Sequence, residues 1–311
     1  MCVLVITNER DLTSDGVILK LYEKGVEVFR LNTEKMCQGI DFSLTIDKGK
    51  MEGEFSGALR KLNLQSVTGV YYRRPEVTRR RDLDEATSKF IHEESSSFLN
   101  WLWTAIDNSL WLNHPLSIRR AESKFDQLLV ADHIGFKTPK TLVTNEPEEV
   151  RSFYHQCSGR MVSKTLRAGS YLKDKDMYVI YSHPVSESEL DMLDGVRILP
   201  CLFQEYIPKK YELRVTVVRD EVFSCEIHSQ ASKKTRHDWR RYDFDNTPHL
   251  VHKLPEYSRD QCVTLVKHYG LSYGAIDMIV TPEGEYVFLE INPNGQWAWI
   301  ESLTSLPIAN A

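Results

Sequence analysis

Two carboxylates facing each other inside an apolar hairpin constrain this chain more than any other feature. Residues 275–280 and 286–291 are strand-like runs separated by Pro282-Glu283-Gly284-Glu285, a turn-forming sequence. With Glu283-Gly284 as a two-residue loop, the ladder sets Asp277 opposite Glu290. Opposed like charges destabilise a sheet, and burial among Ile, Val, Phe and Leu worsens the conflict unless a cation lies between them. Asn292, two residues past Glu290, projects from the same face. Converging Asp, Glu and Asn oxygens suit a hard divalent cation such as Mg²⁺, which takes its remaining ligands from phosphates and water. The alternative is a register slip that turns one carboxylate outward, or a solvated hairpin.

The rest of the chain supplies the context. Its 311 residues suffice for two or three domains, or one large α/β unit, with a real core, and a net charge of -5 gives no global basic field, so nucleic acid is not the expected partner. Arg73, Arg74 and residues 79–81 form a local basic group, as easily a contact for acidic peptide or a neighbouring domain as for RNA. The six cysteines show no CxxC pair, which fits reduced thiols and a cytoplasmic location. No segment approaches bilayer-spanning length, and the opening MCVLVITNERD is a first strand and not a signal peptide. No HExxH pattern is present.

In chain order, residues 3–6 predict a strand, 16–24 a helix and 26–31 a second strand. Another strand at 69–72 runs into Arg73-Arg74-Pro75, and 85–107 carry helical periodicity. No GxGxxG follows the first strand, which argues against a dinucleotide-binding domain. A helix carrying Lys124 precedes the strand-like RMVSKTL, in which Lys164 is costly unless it meets an anion, and the small-residue loop Arg167-Ala168-Gly169-Ser170 follows. Residues 199–207 form an apolar strand ending at Glu205-Tyr206-Ile207, whose backbone is suited to an adenine edge. Glu212, on the next strand at 212–218, is suited to ribose hydroxyls. The charged segment KKTRHDWRRYDFD carries Arg240 and Arg241 beside Trp239 and fits either a solvated loop or an anion site.

The order of these elements resembles the ATP-grasp superfamily over nearly the whole chain. The resemblance implies a mixed α/β (α+β) fold, with residues 1–115 as the pre-ATP-grasp domain, 116–198 as the central subdomain and 199–311 as the C-terminal subdomain. It implies ATP and Mg²⁺ as cofactors. Lys124 and Lys164 match the family's phosphate lysines, Glu205, Tyr206 and Ile207 the adenine-binding strand end, Glu212 the ribose acid, and Asp277, Glu290 and Asn292 the metal ligands. A narrower resemblance lies in YYRRP (71–75), DWRRYD (238–243) and EINPNGQWAWIE (290–301), which look like the ligases that mature graspetides, the microviridin-type peptides. That resemblance implies a macrocyclase acting on a precursor peptide with a leader and a core. An Asp or Glu side chain would be phosphorylated, then attacked by a Ser/Thr hydroxyl or a Lys amine. The runner-up joins an amine to a small carboxylate, as glutathione-type ligases do. Arg214, on the same strand face as Glu212, and Arg240 are expected to stabilise the transferring phosphoryl group, although a buried ion-pair role is equally open for Arg214. A homodimer is one option for assembly, and SLPIANA ends the sequence in what reads as the start of a helix.

Overall fold

The computed structural model describes residues 2–36, 38–57, 60–78, 80, 82–106, 109–167, 169–173 and 176–311. Cys37, Arg79, Arg81 and Ala168, all singled out in the sequence, lie outside the described residues. The chain forms two units, one of Met1–Arg119, Gly270–Tyr273 and Pro307–Ala311, the other of Arg120–Tyr269 and Gly274–Leu306.

The first unit opens with β1 (Cys2–Thr7), α1 (Leu12–Glu23) and β2 (Glu27–Asn32). A three-stranded antiparallel sheet follows, β3 (Ile40–Asp47), β4 (Lys50–Gly57) and β5 (Lys61–Asn63), and then β6 (Val67–Tyr72), α2 (Glu85–Ala105), β7 (Leu110–Leu112) and α3 (Pro115–Ala121). Strands β2-β1-β6-β7 pair in parallel, so both faces need cover. On one face Val5, Val28 and Tyr71 meet Val17, Ile18 and Leu21 of α1. On the other, Leu4, Ile6 and Val70 join Leu99, Leu102 and Trp103 of α2 and Phe55 of β4. Arg73 is buried at 2 % exposure, and Arg80 forks onto Asp82 at 2.6 and 2.9 Å, so these two do not form the open basic patch that the sequence suggests.

The second unit holds two larger sheets. The first is built from β8 (Thr141–Thr144), β9 (Met161–Lys164), β12 (His183–Pro184) and β13 (Cys201–Glu205), in the order β12-β9-β13-β8. Met161 and Phe203 sink one face of this sheet into a core with Val150 and Phe153 of α5 (Pro147–Gln156) and Leu190 and Leu193 of a 3-10 stretch. Because strand side chains alternate, Val162, Lys164 and Gln204 emerge on the opposite face. A short hairpin, β10 (Ser170–Lys173) with β11 (Asp176–Val179), stands outside this sheet.

The second sheet, in the order β16-β15-β14-β17-β18, comprises β14 (Tyr211–Val218), β15 (Glu221–Ile227), β16 (His249–His252), β17 (Tyr273–Val280) and β18 (Tyr286–Asn292). Helices α4 (Lys124–Ile134), α6 (Glu256–His268) and α7 (Ala298–Thr304) complete the unit. The β17–β18 turn corrects the expected two-residue loop. Thr281 and Glu285 are bonded across a three-residue loop, Gly284 N–H donates to Thr281 C=O at 2.9 Å, and Gly284 takes the left-handed conformation that a glycine accepts without strain (φ +88°). Met278 therefore pairs with Phe288, and an irregularity at Leu289 restores the register so that Asp277 still faces Glu290. The chain ends in a single 3-10 turn, Ile308–Asn310.

Candidate active site

The Gln127 side chain fastens helix α4 to the backbone of the outer strand β18. The Gln127 amide donates to Ile291 C=O at 2.9 Å and accepts from Ile291 N–H at 3.0 Å, satisfying an edge residue's backbone on both sides. Ser123 caps the helix through Asp126 N–H. Lys124, the first helical residue, thereby reaches across β18, with Nζ 3.1 Å from Glu290 Oε2 and 3.3 Å from Thr165 C=O.

The opposed carboxylates expected from the hairpin have divergent surroundings. Asp277 is bonded by Arg214 Nη1 at 2.7 Å from neighbouring β14. Its Oδ1 is buried and has no hydrogen-bond partner among the described residues. Burial raises the Asp277 pKa, Glu290 adds to the rise, and Arg214 opposes it. Burial would also raise Glu290, but Lys124, Lys164 and Arg240 outweigh it and hold this carboxyl below its ordinary range. The Asn292 amide spans the pair, its Nδ2 lying 3.2 Å from Asp277 Oδ2 and 3.4 Å from Glu290 Oε1. A partnerless buried carboxylate oxygen beside a second carboxylate and an amide is a donor set that fits a hard divalent cation. Next to it the chain must turn tightly: a Cβ at Gly295 would overlap Ala275 Cβ and sit 2.7 Å from Arg214 Nη2. The NPNGQ sequence thus makes room for the guanidinium, which also donates to Gln296 C=O at 3.3 Å.

One cavity takes in Lys124, Lys164, Glu205, Tyr206, Ile207, Glu212, Arg240, Asp277 and Glu290, so nine sequence-assigned residues share one space. Arg214 and Asn292 reach it through their contacts with Asp277. Lys164 is pushed down to about 8, first by burial and then by Lys124 and Arg240, while Glu290 pulls upward. At the strand end, the Glu205 and Tyr206 amides donate to Lys140 C=O (2.9 Å) and Arg160 C=O (2.8 Å). No backbone hydrogen bond among the described residues takes the Ile207 N–H, which leaves this donor for an incoming ring edge. Glu212 is 5 % exposed, and burial pushes its carboxyl up to about 7 despite an ion pair with Lys209. Its Oε2 has no hydrogen-bond partner among the described residues.

Arg240 is not free. Asp238, nearly buried, receives Nε at 2.8 Å and Nη2 at 2.5 Å in a bidentate fork and is further held by Ser182 N–H at 3.0 Å. This pairing raises the Arg240 pKa, and it lowers that of Asp238 against the effect of burial. Asp238, which opens the DWRRYD motif, and Lys209 take places in the site that the sequence does not assign to them. Their signals were a D-x-R spacing and a lysine three positions before Glu212.

Residues 2–119 match the family model described as the MvdD pre-ATP grasp domain. Among curated protein sequences none matches. Of solved structures, the chain is similar to macrocyclase MdnC from Microcystis aeruginosa, determined with precursor peptide MdnA, at 30% identity and TM-score 0.89, covering 99% of this chain and 97% of that one. It is similar to a Chryseobacterium gregarium RiPP-associated ATP-grasp ligase, determined with ADP and a leader and core peptide, at 34% identity and TM-score 0.91, covering 97% and 92%. Macrocyclase MdnB from Microcystis aeruginosa matches at 32% identity and TM-score 0.81, covering 99% and 96%. With this likeness running the length of the chain, over a fold whose second unit gathers lysines and paired carboxylates in one cavity, the protein belongs to the family of ATP-grasp ligases that includes the graspetide macrocyclases.

Proposed function

We propose that the enzyme uses ATP to close side-chain rings in a ribosomally made precursor peptide carrying a leader and a core. A core Asp or Glu carboxylate oxygen attacks the γ-phosphorus and ADP leaves. A Ser/Thr hydroxyl or Lys amine then attacks the acyl carbon, phosphate departs, and an ester or amide remains. The observation that carries this reading is the charge arrangement of the cavity, in which Lys124, Lys164, Lys209 and Arg240 face Asp277 and Glu290. Such a site neutralises polyphosphate and holds both reacting groups with little reorganisation.

In this proposal Lys124 and Lys164 hold phosphate oxygens, the strand end Glu205-Tyr206-Ile207 takes the adenine edge, and the partnerless Glu212 Oε2 accepts from ribose. Asp277, Glu290 and Asn292 hold Mg²⁺, which would neutralise and orient phosphate charge. Arg240, aimed by Asp238, and Arg214 stabilise the transferring phosphoryl group. Residues 1–115 serve as the pre-ATP-grasp domain, 116–198 and 199–311 as the two ATP-grasp subdomains. A cytoplasmic location is supported by the free thiols of Cys2, Cys157, Cys201, Cys225 and Cys262. No helix among the described residues is long and apolar enough to cross a membrane.

The test is mass spectrometry of the precursor peptide encoded beside the gene after incubation with enzyme, Mg²⁺ and ATP. Loss of one water per crosslink is expected; ADP formation with a small amine and carboxylate, and none with the peptide, overturns the proposal.

A further inference from the structure

Five aromatic rings beside the cavity form a closed circuit. Trp239 meets Tyr242 (centroids 5.9 Å apart), Tyr242 stacks on Phe244 (5.3 Å), Phe244 meets His249 (5.8 Å), His249 meets Trp299 (5.5 Å), and Trp299 returns to Trp239 (5.2 Å). The inner end belongs to the active site, since Trp239 lines the cavity and carries the Arg214 guanidinium 5.9 Å from its ring centre. The outer end is open: Tyr242 and Phe244 are each 49% exposed.

The loop that presents the outer rings is fixed. Ser232 Oγ donates to Asp243 Oδ2 at 2.5 Å, Asn246 Nδ2 to Asp243 Oδ1 at 2.9 Å, and the Thr235 and Thr247 hydroxyls meet at 3.2 Å. Tyr242 itself sits at φ +44°, a backbone region that non-glycine residues rarely adopt and that is characteristic of functional sites. A strained tyrosine and a stacked phenylalanine, held half-exposed by a hydrogen-bonded loop, form a preorganised apolar surface.

Resting on the macrocyclase reading above, we propose that Tyr242 and Phe244 are a specificity shelf that receives an aromatic or leucine-like side chain of the core peptide near the carboxylate being activated. Continuity selects this occupant: the shelf adjoins Trp239, whose ring lines the cavity and carries Arg214, so a peptide whose acid reacts there extends over Tyr242 and Phe244. From the Arg214 guanidinium to Trp239, Tyr242 and Phe244 the successive steps are 5.9, 5.9 and 5.3 Å, a path that at most about five residues of extended chain span. The side chain that docks therefore lies within about five residues of the reacting acid.

The test is a double-mutant cycle on crosslinking of the precursor peptide encoded beside the gene. Phe or Leu within about five residues of the reacting acid is replaced by Ala in the peptide, and Phe244→Ala, with Phe244→Leu as the milder variant, is made in the enzyme. Phe244→Ala is expected to raise the peptide KM about tenfold, with kcat and ADP affinity unchanged. The peptide change should raise KM similarly in wild type and add little in Phe244→Ala. Unaltered KM, or fully additive effects, would overturn the shelf while leaving the macrocyclase reading standing. No water loss from the peptide with wild-type enzyme would overturn both. Unaltered ADP affinity in Phe244→Leu separates a docking defect from misfolding.

Discussion

Arg214 and Asp277 join adjacent strands of the second unit's larger sheet through a 2.7 Å ion pair, each side chain almost withdrawn from solvent. Their union leaves one Asp277 oxygen buried and without a hydrogen-bond partner among the described residues. The pair is thus a strut of the sheet, and in the function proposed above that oxygen is the one Asp277 offers to Mg²⁺.

Removing the arginine should harm fold and activity together. Arg214→Ala leaves a buried carboxylate without its counter-charge and is expected to lower stability by about 3 kcal/mol in urea unfolding. Gly295→Ala should reproduce the activity defect from outside the pair, because its Cβ occupies the space of the guanidinium. Turnover by this variant is expected to fall about 100-fold. Wild-type turnover in Gly295→Ala would show that the close approach does not matter.

Glu212 should leave a pH signature in stability. Its carboxyl rises from 4.5 to about 7 on folding, so the folded state binds the proton more tightly than the unfolded chain. Its contribution is present below 4.5 and is lost as pH climbs toward 7. Glu212→Gln should flatten that segment of the stability profile, measured by unfolding at a series of pH values, and should weaken ATP binding through the ribose. A profile that keeps its wild-type slope would assign the dependence to another group.

Asp238 acts by aiming Arg240, so Asp238→Asn should separate chemistry from binding. Expected is a loss of about 100-fold in crosslinking kcat with ADP affinity held within a factor of about two. Asp238→Glu, which retains the charge, should recover part of the rate. Equal losses in kcat and ADP affinity would mean that Arg240 serves the nucleotide.

The phosphate and metal assignments separate in the same way. Lys164→Ala should weaken ADP binding about 30-fold by calorimetry, the value of one charge-assisted hydrogen bond. Glu290→Gln should abolish product formation while the circular dichroism spectrum is kept, and chelation of Mg²⁺ should do the same in wild type. Turnover that survives chelation would remove the metal from the mechanism.

The opposed pair Asp277 and Glu290 was legible because a strand's two-residue period is local, and so were the helix carrying Lys124 and the strand carrying Lys164. The turn was misjudged by one residue, and the irregularity at Leu289 compensates for it; bulges follow from packing that no local pattern records. The sheet formed by Ile40–Asp47, Lys50–Gly57 and Lys61–Asn63 went unread, since its strands alternate weakly: one face meets the core through Phe55 and Leu62 and the rest is largely exposed.

By itself, then, the sequence determined the α/β alternation, the hairpin with its carboxylates and the family resemblance, all of which follow from residue type and short-range spacing. Only the tertiary structure decided that Gln127 clamps a helix to Ile291, that Lys209 meets Glu212, that Asp238 aims Arg240, and that Trp299 closes a ring of aromatics with Trp239. Two of those pairs lie two or three residues apart along the chain, and one lies 164 residues apart. In each case the contact depends on which faces the packed sheets and helices turn inward, a property of the assembled fold and not of any one segment.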